Sequence, residues 1–495
     1  MPARMQAVAL DEEPPPPRAP RSDEPRRRVP LAAVLAGVLV LVALVAVQVT
    51  LDARDRTRED RLSDVAGVLQ PLDGPLHGLW HLGGGEEQLV GVPVAGRAVS
   101  VRSGLWRGDL YEQGWTPAED ATIRGYDART GRPVWQVLFP LDAVESAELR
   151  RRPSDPRWTW CQALTGPRLL CALTSPALGG TRVAVIDAID GRVLTTRTLP
   201  EGAAWTTSGA SLVVATRQSV PHGTGQGRAV GWLVVATDAT TGAAQWHVRV
   251  PGVRPVDRVV PGTDRAVADA ELSARDGRVL LVHSGHAWVL ADGGLERDVS
   301  VGVDGWAELG PGGALVWAPW SRPSEVRGLL VLADGREVPV RERLAAVTVD
   351  DGSADDVLLL SGTVATDTLV ARDARTGEVR WTARGVTTPA VVLDGVVSAG
   401  TVEGVAAWRA STGKRLLAVD LGGSPVFVGT DGYSLVAFAA DGTLHGLAPD
   451  DGASRWTRDA STVLADTVGL HRVTAWDRHL LLTLTDGSAV LLASG

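Results

Sequence analysis

Apolar and polar positions alternate in short runs along most of the chain, and small polar turns separate these runs. Residues 278–282 and 434–438 are examples, and such runs are typical of β-strands with one buried face. After residue 65, no stretch shows the longer period of an amphipathic helix. The pattern therefore predicts an all-β protein.

A short motif recurs between these runs: Asp-Ala, two further residues and Gly, usually with Trp four residues after the Gly. An Asp side chain accepts hydrogen bonds from its own turn and Gly tolerates positive φ, so each copy predicts a tight turn between two antiparallel strands. Complete copies begin at Asp127, Asp187, Asp238 and Asp373, and degenerate copies lie around Ala333, Ala410 and Pro449.

The spacing of the motif predicts a β-propeller. The corner glycines fall at 131, 191, 242, 293, 335, 377, 413 and 452, with 487 as a further candidate. Roughly 40 residues per repeat is the length of a four-stranded propeller blade. We therefore expect one propeller over residues 75–495, with eight blades favoured and seven as the alternative. The segment around Trp80 is a candidate for the strand that closes the ring with the C-terminus.

The motif Asp-Ala-x-Thr-Gly-x-x-x-Trp resembles the repeat of the PQQ-like (quinoprotein-like) β-propeller family over roughly residues 75–495. The resemblance implies that each Trp docks between neighbouring blades and packs against a glycine corner. The docking residues implied in this way are Trp135, Trp246, Trp381 and Trp456, with the corner glycines Gly131, Gly242, Gly377 and Gly452. Equivalent positions 195, 297, 339 and 417 carry Thr, Arg, Pro and Leu, so half of the ring lacks the docking tryptophan.

The N-terminal segments differ in composition from the propeller. Residues 1–29 contain a proline run and mixed charges, which predicts a disordered tail. Residues 31–47 consist only of Leu, Ala, Val and Gly, so we expect a transmembrane helix over 30–50 and a juxtamembrane linker over 51–74. Three arginines at 26–28 favour a cytoplasmic N-terminus and an extracytoplasmic propeller in the cell membrane. A cleaved signal peptide is the alternative.

Net charge argues against one class of partner, and the two cysteines indicate the compartment. The net charge of −9 gives no electrostatic reason to expect nucleic-acid binding. Cys161 and Cys171 are the only cysteines and lie five residues on either side of Gly166, in a predicted hairpin. A cross-strand disulfide is the hypothesis, which agrees with export, and two buried free thiols are the alternative. Lys414 is the only lysine among many arginines, a bias that suggests a high-GC, actinobacterial genome.

The sequence offers no catalytic, metal or cofactor site. The pair His283 and His286 is expected to point to opposite faces of one strand, and the acidic turn 350–356 lacks the alternating carboxylates of a calcium loop. The quinoprotein resemblance would imply a metal, an Asp base and, in many members, adjacent cysteines beside the cofactor. The two cysteines here are not adjacent. We therefore expect no bound cofactor.

The remaining candidate is a partner loop at residues 103–120, which carries Trp106, Tyr111 and Trp115. Aromatic side chains on a loop often anchor protein contacts; the alternative is that this loop folds back over the rim. The expected function is a non-enzymatic, membrane-anchored scaffold that binds envelope proteins or an extracellular ligand. A degenerate quinoprotein-type, PQQ-dependent oxidoreductase is the alternative.

Overall fold

The computed structural model describes most of the chain after residue 60. The described residues are 45, 48, 57, 60–62, 65–83, 87–91, 93–102, 121–151, 158–220, 229–253, 270–303, 305–319, 328–362, 367–460, 463, 469–485 and 488–494. The chain divides into two compact units, Met1–Asp60 and Arg61–Gly495. In the first unit the four described residues, at 45, 48, 57 and 60, are helical.

The predicted tail 1–29 lies outside the described residues, as does the predicted transmembrane segment 30–50 apart from Val45 and Gln48. Among the residues that the structure does describe, we find no helix with the length and apolar character needed to cross a membrane.

The second unit is built from antiparallel sheets that follow one another along the chain. The first four blades contain β2 (Glu87–Leu89), β3 (Arg97–Arg102), β4 (Thr122–Asp127) and β5 (Pro133–Leu138) in blade 1; β6 (Trp158–Leu164), β7 (Arg168–Ser175), β8 (Gly180–Asp187) and β9 (Val193–Leu199) in blade 2; β10 (Ala204–Ser208), β11 (Ser211–Val220), β12 (Ala229–Asp238) and β13 (Ala244–Val253) in blade 3; and β14 (Glu271–Arg275), β15 (Arg278–His283), β16 (His286–Ala291) and β17 (Gly294–Ser300) in blade 4.

The remaining blades complete the ring. They contain β18 (Gly305–Leu309), β19 (Leu315–Pro319), β20 (Gly328–Val331) and β21 (Glu337–Val340) in blade 5; β22 (Arg343–Leu344), β24 (Val357–Ser361), β25 (Thr368–Asp373) and β26 (Val379–Arg384) in blade 6; β23 (Val347–Asp350), β27 (Ala390–Leu393), β28 (Val396–Gly400), β29 (Gly404–Arg409) and β30 (Arg415–Asp420) in blade 7; β31 (Phe427–Thr430), β32 (Leu435–Phe438), β33 (Thr443–Leu447) and β34 (Ser454–Asp459) in blade 8; and β35 (Leu470–Trp476), β36 (His479–Leu484), β37 (Ala489–Ser494) and β1 (Leu76–Leu82) in blade 9.

Within the described part of the chain, the propeller therefore has nine blades, and the expectation of eight or seven was wrong. Blade 9 combines three C-terminal strands with β1, in which Leu76 lies opposite Ser494 and Leu82 opposite Ala489. A turn motif marks the junction between the third and fourth strands of a blade. In blade 9 these two strands stand at opposite ends of the chain, so no motif is present to be counted.

Three short helical segments interrupt the strands of the described propeller: the α-helix Ala143–Arg151 and the 3₁₀ turns Pro176–Leu178 and Pro311–Gly313. The α-helix begins with a capping box, because Asp142 Oδ1 accepts from the Glu145 backbone N–H (2.8 Å) while Glu145 Oε2 accepts from the Asp142 N–H (3.1 Å). Its Leu149 is buried, and Glu145 pairs with Arg182 of β8. These contacts fix the helix against blade 2.

The alternating connections of each blade define two faces of the propeller. We call the face that carries the turns between first and second strands, and the corners between third and fourth strands, the corner face. The opposite connection face carries the links between second and third strands and those between successive blades. This assignment follows from the antiparallel order of every four-stranded blade. First strands of neighbouring blades contact one another, for example β10 with β14 and β14 with β18, so first strands line the centre.

Residues 65–72 run across the corner face at blades 7 to 9. The Leu69 N–H donates to Thr430 O (2.8 Å), and the Gln70 N–H donates to Arg478 O (2.6 Å). Leu69 and Leu72 are completely buried among side chains of blades 8 and 9. Contacts with the propeller therefore begin before residue 75, the predicted start of the propeller.

Candidate functional site

Each complete turn motif forms a hydrogen-bonded corner. In blade 1, Asp127 Oδ1 accepts from the backbone N–H of Arg129 (3.2 Å) and from the N–H and hydroxyl of Thr130 (both 2.9 Å). Gly131 closes the turn with φ +63°, a conformation that L-residues rarely adopt. These bonds explain the roles of Asp and Gly in the motif and the preference for Thr before the Gly.

Tryptophans at the fourth strands contact the corner of the next blade. The indole N–H of Trp135 donates to Ala188 O (2.9 Å), and that of Trp381 donates to Ala410 O (2.7 Å). Their rings leave no room for a Cβ atom at the corner glycines Gly191 and Gly413, and Trp246 lies in the same way over Gly293. Trp135, Trp246 and Trp381 thus lie at joints between blades.

Trp80 lies in β1, which closes the ring with β37 as predicted, and it makes the same contact, which was not predicted. Its indole N–H donates to Ala128 O (2.8 Å), and its ring lies over Gly131. No turn motif precedes Trp80, because the strand before it in the blade is β37 at the other end of the chain. The ring closure therefore has a joint like the others.

Where the tryptophan is absent, other side chains fill the joint. Arg197 donates to the carbonyl oxygens of Asp238 (3.2 Å) and Ala239 (3.0 Å) and lies against Gly242. Arg297 donates to Leu332 O (3.0 Å) of the following blade. A guanidinium offers planar N–H donors as an indole does. Apolar side chains fill the joints between blades 5 and 6 and between blades 7 and 8: Val338 lies against Gly377, and Leu417 and Val419 lie against Gly452.

Trp456 has a different environment from the other three predicted docking residues. The next blade is blade 9, whose third and fourth strands have no corner between them. The Trp456 ring lies over Gly446 of its own blade, as Trp135 lies over Gly125, but Trp135 also lies against the corner glycine Gly191 of the next blade. Trp456 packs in the same cluster as Leu69 and Leu72. At this joint, residues 65–74 stand where a corner would otherwise lie, and Arg458 beside Trp456 donates to Gly74 O (2.9 Å).

Hydrogen bonds at the corners lower the pKa of Asp127, Asp238 and Asp373. Hydrogen bonds from Arg380 and from the Thr376 N–H lower the pKa of Asp373 well below its ordinary value. A carboxyl group with a lowered folded-state pKa stabilises the fold above its unfolded pKa of about 3.9, and this contribution is lost as pH falls through the folded value. We expect Asp373→Asn to lower the free energy of unfolding at pH 7, with a difference from wild type that shrinks in acid.

Urea unfolding of wild type and D373N between neutral and acidic pH measures this difference. Asp355→Asn is the matched control, because Asp355 is an exposed aspartate of the same blade. A D373N deficit that is the same at every pH would contradict the assignment.

The predicted disulfide is confirmed: Cys161 and Cys171 are bonded across the β6–β7 hairpin, with their Cα atoms 4.0 Å apart. They are direct partners in the strand register. Beside them, Trp160 stacks on Trp205 of blade 3, with ring centroids 4.5 Å apart. The bond therefore fixes a strand that contacts the neighbouring blade.

Replacing both cysteines by serine is expected to lower the free energy of unfolding by about 2–3 kcal/mol, because a short covalent loop no longer restricts the unfolded chain. Urea unfolding of oxidised wild type and the double variant measures this loss. Thiol titration of the unfolded, unreduced protein is expected to find no reactive thiol; two thiols per chain would contradict the bond.

Both metal candidates lie among the described residues. His283 and His286 are direct partners across the β15–β16 hairpin rather than members of one strand, so they share a face and the expectation of opposite faces was wrong. His283 is buried against Trp232, and His286 contacts Asp298 (3.3 Å). In the acidic turn, Asp351 accepts from Ser353 and from the Asp394 N–H. Among the described residues no group of three or more potential ligands is placed to hold a metal.

The predicted partner loop with Trp106, Tyr111 and Trp115 lies outside the described residues. Its two ends are described, since β3 ends at Arg102 and β4 begins at Thr122. These ends lie on the connection face, because the loop joins second and third strands. The same face receives the other long connections, namely 139–157 between β5 and β6, 221–228 between β11 and β12, 254–270 between β13 and β14, and 320–327 between β19 and β20.

Comparison with known proteins agrees with this architecture. The PQQ_2 family model, described as outer membrane protein assembly factor BamB, matches residues 119–294 and 365–494, which together make up more than half of the chain. The chain belongs to this family. No curated protein matches this BamB-family chain.

Three solved structures illustrate what this BamB-family chain is similar to. They are BamB from Moraxella catarrhalis (15% identity, 84% of this chain and 99% of that chain, TM-score 0.41), Sqt1 from Saccharomyces cerevisiae (9%, 84% and 98%, 0.40) and the quinohemoprotein alcohol dehydrogenase ADHIIG from Pseudomonas putida HK5 (11%, 86% and 78%, 0.35). Identities and TM-scores this low do not assign an activity to this chain.

Proposed function

We propose that this chain is a non-enzymatic scaffold, anchored in the cell membrane by residues 30–50, whose extracytoplasmic propeller binds envelope proteins through its connection face. Membership of the BamB family supports a role in protein interaction. The apolar segment 31–47 and the arginines before it support the anchor and its orientation.

The proposal rests on one observation: the long connections and residues 65–72 lie on opposite faces of the propeller. All five of the long connections named above leave from the connection face, whereas residues 65–72 enter the propeller across the corner face. Binding residues are found disproportionately on loops that a rigid scaffold positions. Residues 65–72 already cover part of the corner face, whereas the loops of the connection face are available to a partner.

Site-specific photo-crosslinking in cells tests which face binds. A benzophenone amino acid is placed at Val144 or Val402, which are 72% and 53% exposed on the connection face. Ile189 is the matched control, because it is an apolar residue that is 49% exposed at a corner. We expect cross-linked envelope proteins from the first two positions and none from Ile189. Equal labelling from Ile189, or no labelling from any position, would contradict the proposal.

A separate experiment addresses the enzymatic alternative. Pyrroloquinoline quinone is added with Ca²⁺ to the full chain, and its absorbance spectrum and the thermal shift of the protein are recorded. We expect neither to change. Saturable binding with a spectral change would contradict the non-enzymatic assignment and favour the oxidoreductase.

A further inference from the structure

Blade 3 extends further toward the connection face than its own first strand does. β11, β12 and β13 each have ten residues, whereas β10 has five. β10 pairs with β11 only from Ser211 to Ala215. Before β10 the chain turns, and the Ala203 N–H donates to Pro200 O (3.1 Å). The remaining residues of β11, Thr216–Val220, pair with β12, and among the described residues no strand pairs with their other side. We call this unpaired side of Thr216–Val220 the open edge.

Blade 2 provides a comparison for the open edge. There β6 pairs with β7 from Arg168 to Thr174, so only Ser175 of β7 extends beyond its first strand. In blade 3 the whole segment 216–220 extends beyond it. The open edge lies on the connection face, because the second strand of a blade ends there, and the side chains of Arg217 and Gln218 are exposed.

Two residues present their backbone groups to the open edge. A two-residue turn joins β10 to β11, so Ser208 and Ser211 form a hydrogen-bonded pair. From Ser211 onward, the N–H and C=O groups of every second residue therefore point away from β12, and those of the residues between point toward it. Beyond Ala215, this alternation places the N–H and C=O of Arg217 and Ser219 on the open edge.

The two edges of this extended blade differ in their protection against pairing. The outer strand β13 contains Pro251, and its pairing with β12 shifts in register between Val250 and Val253. Prolines and register irregularities keep edge strands from pairing with another chain. The open edge contains no proline, and β11 pairs with β12 without a shift in register. The open edge is therefore suited to pairing with a further strand, whereas the outer edge is not.

Packing against blade 4 holds the extended strands in place. Val230 and Trp232 of β12 and Val250 of β13 are buried, and they pack in one cluster with Trp288 of blade 4. A fixed edge loses little conformational freedom when another strand pairs with it, which lowers the entropic cost of binding. The open edge is thus a preformed template for one more strand.

We propose that the open edge binds an extended segment of an envelope protein, which adds a strand to blade 3 in line with β10. This inference rests on the proposed function, because it gives the binding mode of a partner at the connection face. An extended polypeptide is the kind of ligand that offers N–H and C=O groups at the strand spacing of Arg217 and Ser219. Main-chain hydrogen bonds supply the affinity in this mode of recognition.

Isothermal titration calorimetry of the full chain tests this proposal with one defined probe, the heptapeptide acetyl-Lys-Thr-Val-Thr-Val-Thr-Lys-amide. Its β-branched residues favour an extended backbone. We expect saturable binding with a Kd below about 1 mM. The same peptide methylated at each Thr and Val backbone nitrogen is the matched ligand control, because it keeps every side chain and charge and lacks the N–H donors. We expect methylation to weaken binding at least about tenfold.

Two substitutions at one position separate the backbone from the side chain. Arg217→Pro removes one N–H group of the open edge and leaves the hydrogen bonds to β12, so it is expected to weaken peptide binding about tenfold. Arg217→Ala is the matched control, because it removes the guanidinium and keeps the N–H group. It is expected to bind like wild type. The comparison of the two peptides on wild type remains decisive if R217P fails to fold.

Three results would overturn the proposal: no saturable binding to wild type, equal binding of the methylated peptide, or equal binding by R217P and R217A. Dimerisation of wild type that R217P abolishes, without peptide binding, would make a second copy of this chain the occupant and would overturn it as well. None of these results bears on the crosslinking from Val144 and Val402, so the two proposals fail independently.

Discussion

Removal of residues 1–74 is expected to abolish cooperative folding of the propeller, although the closing strand β1 is retained. The deleted residues include Leu62, Val68, Leu69 and Leu72, which are 3%, 1%, 0% and 0% exposed. Residues Leu62 and Val68 pack with blades 7 and 8, and Leu69 and Leu72 pack with blades 8 and 9. The segment therefore covers the joint that the missing corner of blade 9 leaves open.

The expected loss is of the same size as the stability of a whole domain. Burial of one Val or Leu side chain contributes roughly 1.5–3 kcal/mol, and folded domains are stable by about 5–15 kcal/mol. Four such side chains account for about 6–12 kcal/mol by the same values. The hydrogen bonds of Leu69 with Thr430 and of Gln70 with Arg478 are lost as well.

Thermal and urea unfolding followed by circular dichroism measure this effect. Removal of residues 1–60 is the matched control, since it retains Leu62, Val68, Leu69 and Leu72 with their contacts to blades 7 to 9 and is expected to preserve the unfolding midpoint. In the full chain, Leu72→Ala alone is expected to lower the free energy of unfolding by about 2–5 kcal/mol. A cooperative transition with the wild-type midpoint after removal of residues 1–74 would contradict a structural role for this segment.

Gly413→Ala is expected to be among the most destabilising single substitutions in the propeller. Gly413 has φ +67°, and an added Cβ would overlap the Cβ and Cγ atoms of Trp381. The positive φ costs a residue with a Cβ about 1–2 kcal/mol, and overpacking adds about 1–3 kcal/mol. We therefore expect a loss of about 2–5 kcal/mol in the free energy of unfolding.

A second glycine separates the two contributions. Gly395 has φ +71°, but no atom lies within 4 Å of a Cβ added there. Gly395→Ala is therefore expected to cost only the backbone contribution, about 1–2 kcal/mol. In a double-mutant cycle, G413A is expected to cost less in a Trp381→Ala background, with a coupling energy of at least about 1 kcal/mol. Equal losses for G413A and G395A would contradict the joint.

The corners were predictable because their chemistry is local. The Oδ1 atom of Asp127 accepts hydrogen bonds from residues two and three positions further along the chain, and the positive φ of Gly131 belongs to the same turn. Each corner can therefore be recognised from a short stretch of sequence, and the spacing of the corners predicted the propeller. The cross-strand pairing of Cys161 with Cys171 was predictable for the same reason, since a single hairpin brings them together.

The joints between blades were only partly predictable. Arg197 and Arg297 replace tryptophan by offering N–H donors to carbonyl groups of the next blade, and the turn motif carries no information about these partners. At position 297, which is equivalent to that of a docking tryptophan, the basic residue was the available indication that an arginine fills the joint. Position 195 is Thr, and Arg197 lies two residues later on the same face of the strand.

The sequence by itself determined the local geometry of this protein: antiparallel strands, tight corners between them and a repeat of blade length. Only the tertiary structure decided that nine blades close the ring and that residues 65–72 complete the last joint. The physical reason is sequence separation. Turn hydrogen bonds join near neighbours, whereas β1 pairs with β37, and Leu69 and Leu72 pack with blades 8 and 9. Such contacts depend on how the whole ring closes.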